Sequence, residues 1–248
     1  MDSLWSLAID HFRLLDPVLD GSPCLLAVAA PGEAEAVLAG LGGVGGSLPE
    51  PWTTREIDDR LHLVVTGVGK ASAAGGVAKA LASQYAGVLS LGLAGGLPAE
   101  PGGAAGLALE VGEAVLADAC HFADEGLISP EGFVSQSGLG FPACEGFGER
   151  VPTDAKWREA LAPLACRVGG CATVSTCSGT DARAIEIARR TEACCEDMES
   201  AAVGLVAHRL GLPFACLRVI SNQTGDRDRQ GWEIDRALLG LARLAGAL

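Results

Sequence analysis

The sequence predicts an α/β fold of three layers, in which helices cover both faces of a mainly parallel sheet. Apolar runs typical of strands alternate along the chain with stretches of helical spacing, which is the pattern of parallel sheets. Three of the runs lead into glycine-containing turns, as strands do when a helix follows directly. Because ligands of such sheets bind at the carboxyl ends of the strands, we expect the functional residues near these turns.

The predicted elements follow one another along the whole chain. The apolar runs that predict strands lie at 24–30, 61–66, 87–97, 112–120, 169–176 and 214–221. The stretches that predict helices lie at 33–41, 71–82, 153–165, 180–190, about 196–210 and 234–248. The segment 98–150 is rich in Gly and Pro and is predicted to combine strands with long loops, where substrate contacts commonly lie.

Residues 1–22 are predicted to be an N-terminal helical extension. One apolar stripe at helical spacing contains Trp5, Ala8, Ile9, Phe12 and Leu15. The break at Gly21–Pro23 separates this helix from the first strand, and we assign it no chemistry. No repeat or low-complexity linker divides the rest, so residues 23–248 are predicted to form a single domain.

The composition excludes several classes of partner. A formal net charge of −13, with Lys and Arg scattered along the chain, is unfavourable for nucleic acid or an anionic membrane surface. The opening segment carries Asp2, Asp10 and Arg13 within its apolar stretch, so it matches neither a signal peptide nor a membrane span. We therefore expect a cytoplasmic location.

The cysteines and histidines predict no metal site. None of the nine cysteines is spaced C-x-x-C, so we expect reduced thiols that are mostly buried as small apolar residues. The four histidines are far apart in the sequence. A protein-built transition-metal site is therefore not expected.

The glycine turns do not match nucleotide-binding motifs. TGVGKAS, residues 66–72, has too few residues between its first glycine and the Gly-Lys pair for a phosphate-binding loop. GLAGG, residues 92–96, lacks the order of a dinucleotide fingerprint. Each turn is explained either as a tight connection or as a row of backbone N–H groups that binds an oxygen-rich ligand.

An acidic cluster near the start of an apolar helix is the strongest candidate site. It contains Glu196, Asp197 and Glu199. Helix capping is a sufficient explanation for Asp197. Glu199 precedes the small residues Ser200–Ala202, which allow close packing, so we expect its carboxylate in a confined polar site. A carboxylate accepts two hydrogen bonds side by side, which suits the vicinal hydroxyls of a sugar.

Five segments together resemble the purine nucleoside phosphorylase and nucleosidase superfamily. In chain order they are TGVGKASAAGGVAKALA, SLGLAGGL, VGEAVLAD, EDMESAAVGLVAHRLGLPF and LRVISN. Over about residues 24–245 the chain is most similar to methylthioadenosine/S-adenosylhomocysteine nucleosidases and futalosine hydrolases, and SNQTGDRD with a nearby tryptophan resembles the latter in particular. The resemblance implies a nucleoside phosphorylase-type fold with a mixed central sheet flanked by helices.

The resemblance also implies roles for individual residues. Glu199 matches the glutamate that binds ribose, and Met198 the methionine that packs on the sugar. Glu33 matches the carboxylate that activates water, although the turn APGEAE can also be aligned to place Glu35 there. Gly95 and Gly96 would lie near the sugar and the base. Asn222 would face the imidazole-side edge of the purine.

The amide at Asn222 predicts which purine is bound. Adenine-releasing nucleosidases have an aspartate there, which can donate a proton to the ring and accept from the exocyclic amine. An asparagine N–H can instead donate to a 6-oxo oxygen, while its carbonyl accepts from a protonated ring nitrogen. The mismatched base would leave a buried polar group unpaired, which costs about 1–3 kcal/mol per lost bond. We therefore expect hypoxanthine as the leaving base.

Other residues suggest the nucleophile and the substrate's side chain. The glutamates in APGEAE would repel phosphate, so water is the expected nucleophile. The resemblance implies a substrate with a carboxylated aromatic side chain, which Arg227 or Arg229 could bind, unless these are solvated loop charges. Three aromatic residues could stack on the base or the tail, or simply pack in the core or loops: Phe122, Phe141 and Trp232.

The implied activity is hydrolysis of the N-glycosidic bond of futalosine in menaquinone biosynthesis, which releases hypoxanthine and dehypoxanthine futalosine. No metal or organic cofactor is implied, and the resemblance suggests a homo-oligomer. Two alternatives remain open. One is a methylthioadenosine/S-adenosylhomocysteine nucleosidase, and the other is a catalytically silent protein that binds purine nucleosides.

Overall fold

A computed structural model of the chain describes residues 14–43, 46–81, 84–99 and 108–248. The strands in these ranges are β1 (Cys24–Val28), β2 (Thr54–Glu56), β3 (Leu61–Val65), β4 (Gly87–Gly96), β5 (Ala114–Phe122), β6 (Gly126–Ser129), β7 (Gly132–Ser135), β8 (Arg150–Pro152), β9 (Arg167–Thr173), β10 (Ala193–Asp197) and β11 (Phe214–Gln223). The α-helices are α1 (Asp16–Leu19), α2 (Pro31–Gly40), α3 (Lys70–Ala80), α4 (Ala155–Leu161), α5 (Asp181–Thr191), α6 (Ser200–Arg209) and α7 (Ile234–Ala245).

Nine of the strands form one mixed sheet in the order β10-β9-β5-β11-β4-β1-β3-β2, with β8 paired to β5. The pairs β1–β3, β1–β4, β4–β11, β5–β9 and β9–β10 are parallel, whereas β11 runs antiparallel to β5. The end of β10 also pairs antiparallel with the end of β4. Strands β4, β11, β5, β9 and β10 therefore form a closed ring, and β6 with β7 forms a separate hairpin.

Helices cover the two faces of the sheet and produce the expected three layers. Alternate residues of β1 face opposite sides, as the twofold repeat of a strand requires: Leu25 and Ala27 belong to one core cluster, and Leu26 and Val28 to the other. The first cluster packs against α3 and α6, and the second against α2, α4 and α7. The predicted α/β class, three layers and mixed sheet are confirmed.

The predicted elements agree with the structure except in two places. The short edge strand β2 was not predicted. The residues of β10 were placed before or within the helix that follows, because that helix dominates the apolar pattern. In the structure Glu196 and Asp197 end a buried strand, and α6 begins only at Ser200. The described part of the segment 98–150, which was predicted to combine strands with long loops, contains β5 and the hairpin β6–β7.

The predicted N-terminal extension lies mostly outside the described residues, since these begin at residue 14. Its described part contains the four-residue helix α1, and Leu15 and Leu19 are buried in the core cluster that also contains Trp157. Asp16 forms an ion pair with Arg60. The division of the chain at residue 22 stays a prediction.

The cysteines are free thiols, as expected. All nine lie in the described ranges, and only Cys166 and Cys177 are exposed. None of the helices in those ranges is both long enough and apolar enough to cross a membrane.

Candidate active site

A cavity of about 440 Å³ lies at the carboxyl ends of β1, β4, β10 and β11. Seven of the eight predicted site residues line it: Glu33, Gly95, Met198, Glu199, Asn222, Arg227 and Trp232. The eighth, Gly96, is the last residue of β4, and its carbonyl accepts hydrogen bonds from the backbone and the hydroxyl of Thr224, at 2.8 and 2.9 Å. Gly96 thus joins two loops beside the cavity.

Glu33 is held in the cavity by backbone N–H groups. It lies in the first turn of α2, where its carboxylate accepts from the N–H of Ala29 at 3.0 Å and of Ala30 at 2.9 Å. Its other oxygen accepts from Leu93 N at 2.8 Å. A Cβ atom added at Gly92 would lie 2.7 Å from that oxygen, so the glycine in β4 leaves room for the carboxylate. Glu35 is exposed, which favours Glu33 over Glu35 as the residue in the cavity.

Glu199 lies close to Glu33 because the turns that hold them are adjacent. Glu199 accepts a 2.8 Å hydrogen bond from Gly69 N, in the turn after β3, and Gly67 in that turn donates to Ala29 O in the turn after β1. Burial, and next the negative charge of Asp197, raise the pKa of the Glu199 carboxyl to about 7. Its protonation therefore changes near neutral pH.

A buried ion pair fixes the strand that leads to Glu199. Asp197 accepts from Arg218 Nε at 2.8 Å, from Thr173 Oγ1 at 2.7 Å and from the backbone of Ser200 at 3.1 Å. Asp197 therefore accepts from the first backbone N–H of α6, although it ends β10 and the N-cap position of that helix is Glu199. The ion pair adds a contact that the sequence did not predict. Arg218 also donates to Ser90 Oγ at 2.8 Å. This network links β10, β11 and β4 beneath the cavity.

Asn222 projects into the cavity from an irregular part of β11. The register between β11 and β4 shifts between Ile220 and Asn222, which places Asn222 opposite Gly95. Its Oδ1 accepts from Ser221 Oγ at 2.9 Å, and its Nδ2 donates to Gln223 O at 3.0 Å. A primary amide has a second N–H and further lone pairs, so one donor and one acceptor remain for a ligand.

The two arginines after β11 have different surroundings. Arg227 lines the cavity, donates to Gln230 Oε1 at 3.0 Å, and lies 5.1 Å from the centre of the Trp232 ring. Arg229 is exposed and forms ion pairs with Asp181 and Asp226. Of the two predicted candidates for binding an acidic tail, the geometry favours Arg227.

The other predicted aromatic residues lie elsewhere. Phe122 and Phe141 line a second, larger cavity of about 1040 Å³, which meets the first at Val68 and Met198. Among the proposed stacking residues, Trp232 is therefore the one in the first cavity, and it is half exposed.

Several cavity residues had no assigned role from the sequence. Ser178, Thr224 and Gln230 line the cavity within polar loops, and no spacing distinguishes them from ordinary loop residues. Glu196 was part of the acidic cluster, but its place on a strand was missed. An acidic residue three positions before Glu199 was the available signal.

The arrangement suits cleavage of a base from a sugar. Two neighbouring carboxylates stand where a positive charge can develop, and an amide across the cavity can hold a planar heterocycle by hydrogen bonds. These groups and the fold are characteristic of proteins that act on nucleosides.

Comparisons with known proteins assign the chain to a family. Residues 28–247 match the model of the phosphorylase superfamily, and the chain belongs to this superfamily. It is 38% identical over 229 residues to the futalosine hydrolase of Acidothermus cellulolyticus. This alignment covers 90% of this chain and 89% of the relative.

Solved structures confirm the fold. A futalosine hydrolase mutant of Helicobacter pylori superposes with a TM-score of 0.71 at 17% identity, over 91% of this chain and 95% of that one. The 5′-methylthioadenosine/S-adenosylhomocysteine nucleosidase of Campylobacter jejuni superposes with a TM-score of 0.68 at 20% identity, over 91% and 96% of the two chains.

Proposed function

We propose that this chain is an N-glycosyl hydrolase that cleaves futalosine and releases hypoxanthine and dehypoxanthine futalosine. The observation that carries the proposal is the presence of Glu33, Glu199 and the amide of Asn222 in one cavity. The 38% identity to a futalosine hydrolase over most of both chains supports it.

Glu33 is the proposed general base. Its carboxylate has about four lone-pair positions, and three accept from backbone N–H groups, so one stays available for a water molecule. Water attacks the anomeric carbon of the sugar and transfers a proton to Glu33. A positioned base of this kind contributes about a hundred- to ten-thousandfold in rate.

Glu199 and Met198 are the proposed sugar contacts. As the C–N bond lengthens, the sugar becomes positively charged, and the ionised Glu199 stabilises that charge while it accepts hydrogen bonds from the hydroxyls. Met198 supplies an apolar surface for the sugar ring.

Asn222 is the proposed clamp on the base. The electron pair of the broken C–N bond passes to the purine, which takes up a proton from solvent. The Asn222 amide donates to the 6-oxo oxygen and its carbonyl accepts from the protonated imidazole nitrogen. This pattern stabilises the departing hypoxanthine and fits adenine poorly.

The test is to incubate the pure protein in phosphate-free buffer with futalosine, inosine and methylthioadenosine separately, and to identify the released base by chromatography. Hypoxanthine from futalosine is the expected product. Adenine from methylthioadenosine in place of it would assign the chain to the rival nucleosidase. Turnover that requires added phosphate would contradict hydrolysis, and tight binding without any product would indicate a silent binding protein.

The wider setting follows from the same proposal. The product would enter menaquinone biosynthesis, the protein would act in the cytoplasm as a homo-oligomer, and residues 23–248 would form its single domain. The formal net charge of −13 does not favour nucleic acid as a partner.

A further inference from the structure

Glu196 is a buried carboxyl in the cavity that the mechanism above does not use. Its side chain is 5% exposed and lines the same cavity as Asn222. One oxygen accepts from Ser178 N at 2.8 Å and the other from Ser178 Oγ at 2.5 Å. These bonds use about two of the four lone-pair positions of the carboxylate, so acceptor positions remain for a ligand.

Glu196 and Asn222 stand on either side of Gly95. In β10 Glu196 is in register with Gly95 of β4, and in β11 Asn222 is in register with the same glycine. Residues in register on neighbouring strands point to the same face, and two strand spacings separate Glu196 from Asn222 by about 10 Å between Cα atoms.

Gly95 forms the floor between these two side chains. A Cβ atom added there would lie 2.7 Å from Thr224 Cγ2 and 3.4 Å from both terminal atoms of the Asn222 amide. A side chain at this position would therefore displace the Thr224 loop and crowd the amide. The glycine leaves a slot with an amide on one side and a carboxylate on the other, which suits the width of a purine ring.

We propose that Glu196 is a specificity-determining residue that accepts a hydrogen bond from the N1–H of a 6-oxopurine whose imidazole-side edge is held by Asn222. This inference rests on the proposed function and adds a second contact to the same base.

The chemistry of the two purines explains the preference. In hypoxanthine N1 carries a hydrogen and donates, whereas in adenine N1 presents a lone pair that a carboxylate repels. A hydrogen bond to a charged, buried acceptor is stronger than a neutral one. Burial raises the pKa of the Glu196 carboxyl, and the two Ser178 donors oppose this shift. An N–H from the base would replace part of the hydration that burial removes.

The test uses Glu196→Gln and measures the binding of free hypoxanthine and free adenine by calorimetry. Glutamine has a similar volume, its carbonyl can accept from Ser178 N, and its amide N–H can donate to Ser178 Oγ. The second N–H of the glutamine then faces N1 of the base. It is repelled by the N1–H of hypoxanthine and can donate to the N1 lone pair of adenine. We expect hypoxanthine to bind about ten- to a hundredfold more weakly than to the wild type, and adenine equally well or more tightly.

A matched control separates recognition from loop anchoring. Ser178→Ala removes the hydroxyl bond to Glu196 but keeps its carboxylate, so the preference for hypoxanthine should persist. If Glu196 only anchors the Ser178 loop, Glu196→Gln will weaken the binding of hypoxanthine and of adenine by the same factor, and that result overturns the proposal. A wild type that binds both bases equally also overturns it.

Direct binding keeps this test independent of the proposed reaction. If the wild type prefers hypoxanthine through Glu196 but does not cleave futalosine, the proposed function fails and the assignment of Glu196 stands. If futalosine is cleaved and the base preference is unchanged in Glu196→Gln, only the assignment of Glu196 fails.

Discussion

The cavity has two ends that are built from different chemistry. At the end formed by the turns after β1 and β3, two carboxylates lie close together, and burial with the charge of Asp197 raises the pKa of Glu199 to about 7. At the end formed by β4, β10 and β11, the groups that face the cavity form a hydrogen-bond pattern, with the Asn222 amide held by Ser221 and Gln223. We infer that the first end determines rate and the second determines which base is accepted.

The largest expected effect is on the first end. In Glu33→Gln we expect turnover to fall by about a hundred- to ten-thousandfold, because an amide cannot take a proton from water. The loss should be equal for every nucleoside that the wild type cleaves, as measured by single-turnover rates. A loss confined to one base would contradict the division between the two ends.

Stability should also change in this variant. One carboxylate oxygen of Glu33 accepts from Ala29 N and Ala30 N, and the other accepts from Leu93 N. A glutamine has only one side-chain oxygen, so it can accept only the bonds made to one of these two positions. We therefore expect the free energy of unfolding, measured with urea, to fall by about 1–3 kcal/mol. Glu35→Gln is the matched control, since Glu35 is exposed two residues away. Its activity and stability should equal those of the wild type; a loss of turnover there would move the base to Glu35.

Asn222→Asp should affect the second end selectively. Asn222 donates to Gln223 O at 3.0 Å, and a carboxylate oxygen in that position would be repelled by the carbonyl. We expect kcat/KM for hypoxanthine-releasing nucleosides to fall about ten- to a hundredfold. Activity on adenine nucleosides should fall less or rise. Asn222→Ala is the control, because it presents neither the hydrogen-bond pattern of the amide nor that of a carboxylate to the base. Unchanged kinetics on 6-oxopurine nucleosides in Asn222→Asp would refute the proposed role of Asn222 in holding the base.

The pH dependence of kcat/KM tests Glu199. Its raised pKa means that the carboxyl is protonated below about pH 7 and ionised above it. Since the ionised form stabilises the developing positive charge, kcat/KM should rise with pH and level off above about 7, with a slope below that point approaching tenfold per pH unit. Glu199→Gln should have a low, flat profile, and Glu35→Gln should keep the wild-type profile. A slope that persists in Glu199→Gln would assign the titration to another group.

The difference between the two ends also explains what the sequence could predict. Glu33 was predicted from the strand, turn and helix start around it and from the family resemblance. Glu199 was predicted from the same resemblance and from the small residues that follow it at the start of an apolar helix. Glu196 and Ser178 were not assigned a role because their contact joins residues 18 positions apart, and Glu196 lies on a strand hidden by the apolar pattern of the following helix. The alignment of Glu196 and Asn222 across Gly95 depends on strand order and on the register shift at Ser221, which no local pattern contains.

The smallest effect is expected at the cavity mouth, where Arg227 and Arg229 form a matched pair. Arg227 donates to an amide oxygen and lies over Trp232, so its charge is available to an acidic substrate tail, whereas Arg229 already pairs with Asp181 and Asp226. We expect Arg227→Gln to raise KM for futalosine about two- to fivefold, the range of an exposed ion pair, without changing KM for inosine, which lacks the tail. Arg229→Gln should leave both values unchanged. Because added salt screens exposed charges, the effect of Arg227→Gln should shrink at high ionic strength. An equal increase in KM for both nucleosides would show that Arg227 contributes to binding the part that they share. The carboxylated tail of futalosine would then be bound by other residues.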